Sequence, residues 1–99
     1  MNATLKNLSI IETHRGIAWI ADIFVDGKKL MVAENSGDGG ATVIRGDRAV
    51  ISALRAWATA ELPSDPEPLE TIVSCTDDGE NLSVGLERLR HLQAHDDEE

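Results

Sequence analysis

Two apolar runs separated by the dipeptide Asp26-Gly27 constrain the fold of this chain more than any other feature. In the first run, residues 17–25, apolar side chains recur at every second position, which is the spacing of a β-strand. Its other face is only partly polar, as is typical of a strand inside a sheet. Asp-Gly between two such runs favours a hairpin, because a type I′ turn needs positive φ at both central residues. Residues 28–34 are therefore predicted to pair back antiparallel.

The segments on either side extend this pattern into a small sheet followed by a helix. Residues 4–13 predict another strand, so residues 1–40 are expected to form an antiparallel β-meander. Residues 47–62 have apolar side chains at spacings of three and four, and Asp47 is a plausible N-cap, which predicts a helix. Residues 63–68 contain three prolines and predict a stiff linker.

The remainder is less regular. Residues 69–76 fit either an edge strand, which their β-branched side chains favour, or a helical turn. Residues 80–94 predict a last helix, and the spacing of Asp77 and Glu80 resembles a capping box at its start. Residues 95–99 are expected to form a frayed acidic tail.

The expected architecture is a single α+β domain covering residues 1–99. Its antiparallel meander has three strands, or four if residues 69–76 pair at an edge, and two helices pack on one face. Trp19 and Trp57 lie on the apolar stripes of their elements and are expected to pack in the core, facing each other. The second sheet face would carry Ile20, Phe24 and Met31.

Charge is distributed very unevenly along the chain. The net charge is −9 over 99 residues. Residues 1–60 carry seven basic and six acidic side chains, whereas residues 61–99 carry two basic and twelve acidic ones. Such a surface disfavours direct binding of nucleic acid and would attract a basic protein surface. Solubility alone is the simpler interpretation of the same acidity.

No feature of the sequence indicates a membrane or an oxidising compartment. No apolar run approaches the length of a transmembrane helix, and the N-terminal residues do not form a signal peptide. Cys75 is the single cysteine, so no internal disulfide is possible. These observations favour the cytoplasm.

The glycine-rich loop Asn35–Gly40 is the most unusual segment. Three glycines in six residues would let backbone amides approach an anion, but neither phosphate-binding fingerprint is present. Thr42 occupies the position where a dinucleotide-binding loop has its third glycine. A structural turn, a contact loop for a partner, and a small-ligand or metal loop remain open.

Chemistry-bearing side chains are sparse. His91 and His95 are four residues apart on a predicted helix, but no further metal-binding motif accompanies them, so exposed surface histidines are the favoured interpretation. Cys75 has no nucleophile signature around it and is expected to be an inert thiol. We therefore expect no enzyme activity, no metal and no cofactor.

Residues 5–40 resemble small phage and mobile-element proteins with a strand, an Asp-Gly-Lys hairpin, a second strand and an Asn-Asp-Gly-x-Gly-Gly loop. Asn35, Gly37, Gly39 and Gly40 match that loop, and Ser36 replaces its aspartate. The resemblance implies a meander fold and an accessory role. By analogy with small acidic phage proteins that block host defence complexes, an inhibitory role similar to that of anti-CRISPR proteins is one expectation.

The leading hypothesis is a protein that occludes a basic surface of a host protein or complex. The side chains expected to contact the partner are Asn35, Asp38, Asp65, Glu67, Glu70, Asp77 and Asp78. One alternative is a homodimeric accessory protein that associates through the second sheet face. Another is a small ligand- or metal-binding enzyme centred on Asn35–Gly40, His91 and His95.

Overall fold

Four strands precede three helices along the chain. The computed structural model describes residues 2–38 and 41–97, the last four by their backbone alone. The elements are β1 (Ala3–Thr13), β2 (Gly16–Val25), β3 (Lys28–Asn35), β4 (Val43–Gly46), α1 (Arg48–Glu61), α2 (Pro68–Ser74) and α3 (Leu82–Asp97). None of the helices in the described part of the chain is long and apolar enough to cross a bilayer.

The sheet is an antiparallel meander with the strand order β1-β2-β3-β4, which confirms the α+β prediction. Asp26 and Gly27 have φ values of 50° and 86°, so the hairpin between β2 and β3 has the positive φ values that a type I′ turn requires. The fourth strand is residues 43–46, directly after the glycine-rich loop, and not residues 69–76.

All three helices pack against one face of the sheet, where the sequence predicted two. A single cluster of buried side chains joins the sheet to the helices. Its fully buried members include Leu5, Ile23, Met31, Leu54, Leu69, Ile72, Val73 and Leu82. The other side of the sheet, which we call the open face, is not covered by any helix described here.

The extra helix is α2, and it corrects the prediction of an edge strand over residues 69–76. Pro68 stands in the first turn, where its fixed φ and missing N–H suit a helix start. Leu69, Ile72 and Val73 point into the core, at helical spacing. The hydroxyls of Thr71 and Ser74 donate to the carbonyl four residues earlier, which satisfies polar groups that would otherwise favour non-helical backbone.

A β-bulge in β3 decides which of its side chains are buried. A two-residue hairpin without a bulge would pair Ile23 with Leu30. Instead Phe24 pairs with Lys29 and Ile23 with Met31, so one extra residue lies between them. A one-residue shift moves the following side chains to the other face. The assignment of Met31 to the open face was therefore wrong, since Met31 is only 1% exposed in the core.

The extra residue, Leu30, also connects the sheet to the first helix. Its carbonyl accepts the backbone N–H of Asp47 at 3.1 Å. The Asp47 carboxylate in turn accepts the N–H groups of Ala49 and Val50, which confirms it as the N-cap of α1. Gly46 has a φ of 146° and lies against the Leu30 carbonyl, so a side chain there would collide with it.

A second bulge interrupts β1 at residues 7 and 8. Lys6 pairs with Asp22 and Ser9 with Ile20, so Asn7 and Leu8 together oppose one residue of β2. Asn7 has a φ of 60°, a conformation that asparagine tolerates better than most residues. The bulge explains the imperfect alternation of this strand: it brings Leu8 to the same face as Leu5.

The last helix begins and ends later than the sequence predicted. α3 starts at Leu82, and Asn81 precedes it with its side-chain oxygen accepting the N–H of Ser83. Asp77 and Glu80 form a separate turn instead of the helix cap: the Glu80 carboxylate accepts the N–H of Asp77 at 2.9 Å. The helix continues to Asp97 because no glycine or proline follows Gly85, so residues 95–97 are helical where a frayed tail was expected.

The two tryptophans lie at opposite ends of the sheet and do not face each other. Trp57 lines a small cavity together with Ala3 and Leu82. Ala3 pairs with Val25, so this cavity lies at the C-terminal end of β2. Trp19 is six residues from Val25 along β2, beside Ile10 and the end of α2. Both are half-buried against the core.

Candidate protein-interaction surface

The far half of the β1–β2 hairpin extends beyond the helical cover and exposes apolar side chains on both faces. Because Ile10 pairs with Trp19 and Ile11 with Ala18, these isoleucines point to opposite faces of the sheet. Their exposed fractions are 60% for Ile10 and 61% for Ile11. Ile17 and Ile20 on β2 are 57% and 44% exposed. Each face of this hairpin thus carries two exposed isoleucines, and this concentration of apolar surface makes the hairpin the candidate interaction feature of the molecule.

On the open face, cross-strand pairing brings a set of apolar side chains together. Ile20 pairs with Glu34, and Glu34 with Val43, so the three side chains lie side by side across β2, β3 and β4. We call this region the apolar half of the open face; it consists of Ile11, Ala18, Ile20 and Val43. It lines a shallow depression of about 420 Å³ together with Glu34 and Arg45, which are joined by a 3.2 Å ion pair.

The other half of the open face is polar and held by internal contacts. The Lys6 ammonium lies 5.0 Å from the centre of the Phe24 ring, a cation–π contact. Asp22 accepts a hydrogen bond from Asn7 at 2.9 Å and forms an ion pair with Lys29 at 3.3 Å. The hydrogen bond from Asn7 is the main reason that the pKa of the Asp22 carboxyl is below its ordinary value, and the nearby Lys29 lowers this pKa further. Self-association through Phe24 and Met31 is therefore disfavoured, because one is covered and the other buried.

The backbone of the glycine-rich loop packs closely against the backbone at the start of β2, next to the β1–β2 turn. Gly37 has a φ of 77°, and a Cβ there would lie 2.6 Å from the carbonyl carbon of Ile17. Gly16 meets the Gly37 carbonyl equally closely from the other side. The Asn35 side chain accepts the N–H of Gly37 and donates to Thr42, so it holds the two ends of the loop. Gly39 and Gly40 lie outside the described residues.

The acidic residues proposed as partner contacts are distributed over three parts of the molecule. Asp38 lies in the glycine-rich loop, where its carboxylate accepts the Ser36 hydroxyl. Asp65 and Glu67 lie between α1 and α2, and the Asp65 carboxylate accepts the N–H of Glu67 at 2.8 Å. Asp77 and Asp78 lie in the turn before α3. These side chains therefore belong to three separate segments of the chain, and no hydrogen bond or ion pair among the described residues joins one segment's acids to another's.

Two of these acids are used inside the fold. The Asp78 carboxylate accepts the N–H of Leu8 at 2.8 Å and so holds the turn against the β1 bulge. Glu70 is buried on α2, with a 2.6 Å ion pair to Arg55 of α1. Its second oxygen has no hydrogen-bond partner among the described residues. Glu70 therefore joins α1 to α2 and does not present its carboxylate to a partner.

Arg88 of α3 holds the turn that precedes its own helix. Both of its terminal nitrogens are used: one donates to the Cys75 carbonyl and the other to both carboxylate oxygens of Glu80 at 2.9 Å. The hydrogen bond from the Asp77 N–H lowers the pKa of the Glu80 carboxyl most, and the hydrogen bond from Arg88 lowers it further. In return, the hydrogen bond to Glu80 raises the pKa of Arg88. Asp77 lies 3.6 Å from the same guanidinium.

The side chains considered for catalytic or metal chemistry are Cys75, His91 and His95. Burial raises the pKa of the Cys75 thiol more than Arg88 lowers it, which disfavours a reactive thiolate. His91 is exposed on α3, and the side chain of His95 lies outside the described residues. Within residues 2–38 and 41–97, no group of three or more histidine, cysteine or acidic side chains is placed to hold a metal ion.

No known family, curated protein or solved structure matches this chain. The exposed isoleucines are therefore assessed from their geometry alone. Sequence reasoning placed Ile20 on the second sheet face but did not single out Ile10, Ile11 and Ile17. The alternation of residues 17–25 grouped Ile17 with the buried side chains, whereas the helices cover only the other half of that strand. A pattern of alternation identifies the face of a side chain but not the extent of the layer that covers it.

Proposed function

We propose that this chain is a protein-binding protein that occludes a surface of its partner with the apolar half of its open face. The observation that carries the proposal is the exposure of Ile11, Ile20 and Val43 on one face of the sheet, over which the described residues place no helix. Glu34 lies between Ile20 and Val43 on this face. Since each of these side chains is about half exposed, burying the remaining surface contributes about 1 kcal/mol per residue, and such apolar contacts anchor interfaces.

The acidic C-terminal part has a different role in this proposal. Residues 61–99 carry twelve acidic and only two basic side chains, so this part keeps a negative net charge even though Glu70 and Glu80 are paired with arginines. Their field acts over about one Debye length, so it accelerates encounter with a basic partner and contributes less to holding it. The proposed partner thus has an apolar contact region within a basic surface.

The resemblance of residues 5–40 to phage and mobile-element proteins suggests which partner this would be. Under that interpretation the chain acts in the host cytoplasm and inhibits a host defence complex by covering one of its surfaces. The single thiol, Cys75, suits such a reducing compartment.

The experiment compares two substitutions of equally exposed apolar residues. Ile20 is 44% exposed on the open face and Val84 is 40% exposed on α3, so Val84→Lys is the matched control for Ile20→Lys. Immobilised wild-type protein and the control should retain the same protein from a lysate of the natural host, and Ile20→Lys should lose it. Equal retention by Ile20→Lys would exclude the open face as the contact surface.

Kinetics on the captured partner separate the two roles. Raising the salt concentration should lower the association rate and leave the dissociation rate nearly unchanged, because screened charges guide encounter. Ile11→Ser should raise the dissociation rate instead. An association rate that is independent of salt would contradict the proposed role of the acidic part.

A further inference from the structure

The outer edge of β1 is covered over only part of its length. The N–H of Leu5 donates to the Glu80 carbonyl at 3.0 Å, and the Leu5 carbonyl accepts the N–H of Gly79 at 2.7 Å. The Asp78 carboxylate accepts the N–H of Leu8, and Thr4 forms an isolated antiparallel β-bridge with Asn81. From Ser9 to Thr13, β1 pairs with β2 alone in the part of the chain that the structure describes.

The direction of the remaining backbone groups follows from this geometry. In an antiparallel strand, alternate residues direct both N–H and C=O to the same side. The Leu8 N–H points outward to Asp78, so the N–H and C=O of Ile10 and Glu12 point outward as well. Four adjacent backbone groups therefore form an edge that is ready to accept another strand.

This edge is complementary to itself. When two copies lie antiparallel with Ile11 opposite Ile11, Ile10 of each copy stands opposite Glu12 of the other. Each of those two pairs exchanges two backbone hydrogen bonds, which makes four in all. Ile11, 61% exposed in the single chain, would gain Ile11 of the other copy as its apolar neighbour, whereas Ile10 stands beside the aliphatic part of Glu12.

Charge supports the same register. His14 of one copy then stands opposite Leu8 of the other, where Asp78 accepts the Leu8 N–H. The exposed Arg15 of each turn consequently approaches the Asp77–Asp78 segment of the other copy, and Asp77 has a side chain that is 78% exposed. The complementary charges occur twice because the arrangement has two-fold symmetry.

We propose that two copies of this chain join edge to edge through Ile10–Glu12 of β1, with Ile11 of both copies at the two-fold axis. The sheets merge into one continuous sheet of eight strands, and the two apolar halves of the open face become neighbours on the same side. The dimer does not depend on the proposed function, because a partner would bind the open face of one copy or of two.

A cysteine at the axis tests the register directly. In a Cys75→Ser background, Ile11→Cys places two thiols in a non-hydrogen-bonded pair with Cα atoms about 4.5 Å apart, within the range for a disulfide. Val43→Cys, exposed on the same face but on β4 at the opposite edge, is the control. Mild oxidation at micromolar protein should convert Ile11→Cys to the covalent dimer at least tenfold faster than Val43→Cys. Equal rates would overturn the proposal.

Light scattering on the unmodified chain provides the second measurement. The wild-type protein should elute with twice the 10.7 kDa mass of one chain. Ile11→Lys places two ammonium groups against each other at the axis and should give a monomer with an unchanged circular dichroism spectrum, whereas Val43→Lys should remain a dimer. Wild-type protein that is monomeric at 100-fold the concentration of the oxidation assay would overturn the proposal independently.

Charge reversal examines the turn contact. Arg15→Glu should weaken the dimer about tenfold, and adding Asp77→Lys to the same chain should restore most of the loss, because the two charges are exchanged across the interface. Restoration by a lysine at Glu87, which is exposed elsewhere on α3, would contradict the register.

Discussion

Gly85 of α3 lies directly against Thr76, whose hydroxyl occupies the space that a Cβ on Gly85 would fill. That hydroxyl donates to the Ile72 carbonyl at 2.8 Å inside the core. The contact lets α3 approach the end of α2 closely, and it explains a glycine in a helix where alanine would be favoured intrinsically.

We expect Gly85→Ala to destabilise the protein although alanine is the better helix former. Overpacking against Thr76 should lower the free energy of unfolding by about 1–3 kcal/mol, which exceeds the helix-propensity gain of about 1 kcal/mol. Urea unfolding measures the difference. Glu87→Ala, at an exposed position of the same helix, should change stability by less than about 0.5 kcal/mol. A stabilised Gly85→Ala variant would show that α2 and α3 are not in this contact.

The glycine-rich loop and the β2–β3 hairpin provide a matched pair of substitutions. Gly27 and Gly37 have similar φ values of 86° and 77°, but a Cβ on Gly27 meets nothing within 4 Å. Gly27→Ala should therefore cost only the left-handed backbone term of about 1–2 kcal/mol. Gly37→Ala must also displace the backbone at Ile17 and Ala18, so we expect it to cost at least about 1 kcal/mol more. Equal thermal midpoints for the two variants would refute the close approach.

The ion pair between Arg55 and Glu70 is expected to position the helices rather than to stabilise them. Arg55→Met alone should destabilise by about 1–3 kcal/mol, since it leaves the buried Glu70 carboxylate without its charge partner while Arg55 itself is half exposed. The double variant Arg55→Met/Glu70→Leu should recover most of that loss because no buried charge remains. Urea unfolding of the wild type, Arg55→Met, Glu70→Leu and the double variant gives the coupling energy, and additive losses would mean that the pair does not interact.

Acid should destabilise the fold partly through Glu80. The pKa of Glu80 is lowered in the folded protein from its ordinary 4.5, so its contribution is complete above that value and is lost as the pH falls through the folded pKa. Between pH 5 and pH 3, the thermal midpoint of the wild type should fall more steeply than that of Glu80→Gln. Glu87→Gln should follow the wild type. Parallel curves for all three proteins would show that Glu80 makes no such contribution.

Local sequence signals were sufficient for most of the elements. Asp26-Gly27 set the hairpin, Asp47 marked the start of α1, and the apolar alternation of β2 gave the buried set correctly from Ala21 to Val25. Each of these signals is local, since it depends on residues a few positions apart. The α2 helix could also have been predicted, because Leu69, Ile72 and Val73 have helical spacing. The β-branched residues of this segment favoured a strand instead, and that preference decided the prediction.

The two bulges were not predictable in the same way. Each depends on contacts between residues far apart in sequence: Asn7 and Leu8 are held by Asp22 and Asp78, and Leu30 by Asp47. A bulge reverses the face assignment of everything beyond it, which is why Met31 was misplaced. Of the candidate site, the sequence indicated Ile20 on the second sheet face but not Val43, because β4 was not predicted. The exposure of Ile17 on the other face was not predicted either, because the cover there depends on where α2 ends.

The hydrogen bond from Asp47 to Leu30 makes strand pairing and helix initiation a single cooperative event. α1 cannot begin at Arg48 unless β3 carries its extra residue, since the helix cap is anchored to that residue's carbonyl. We therefore expect the amide proton of Asp47 to exchange with solvent when its hydrogen bond to β3 breaks, which separates the sheet edge from the first helical turn. One peptide group thus joins two layers of the molecule into one unfolding unit.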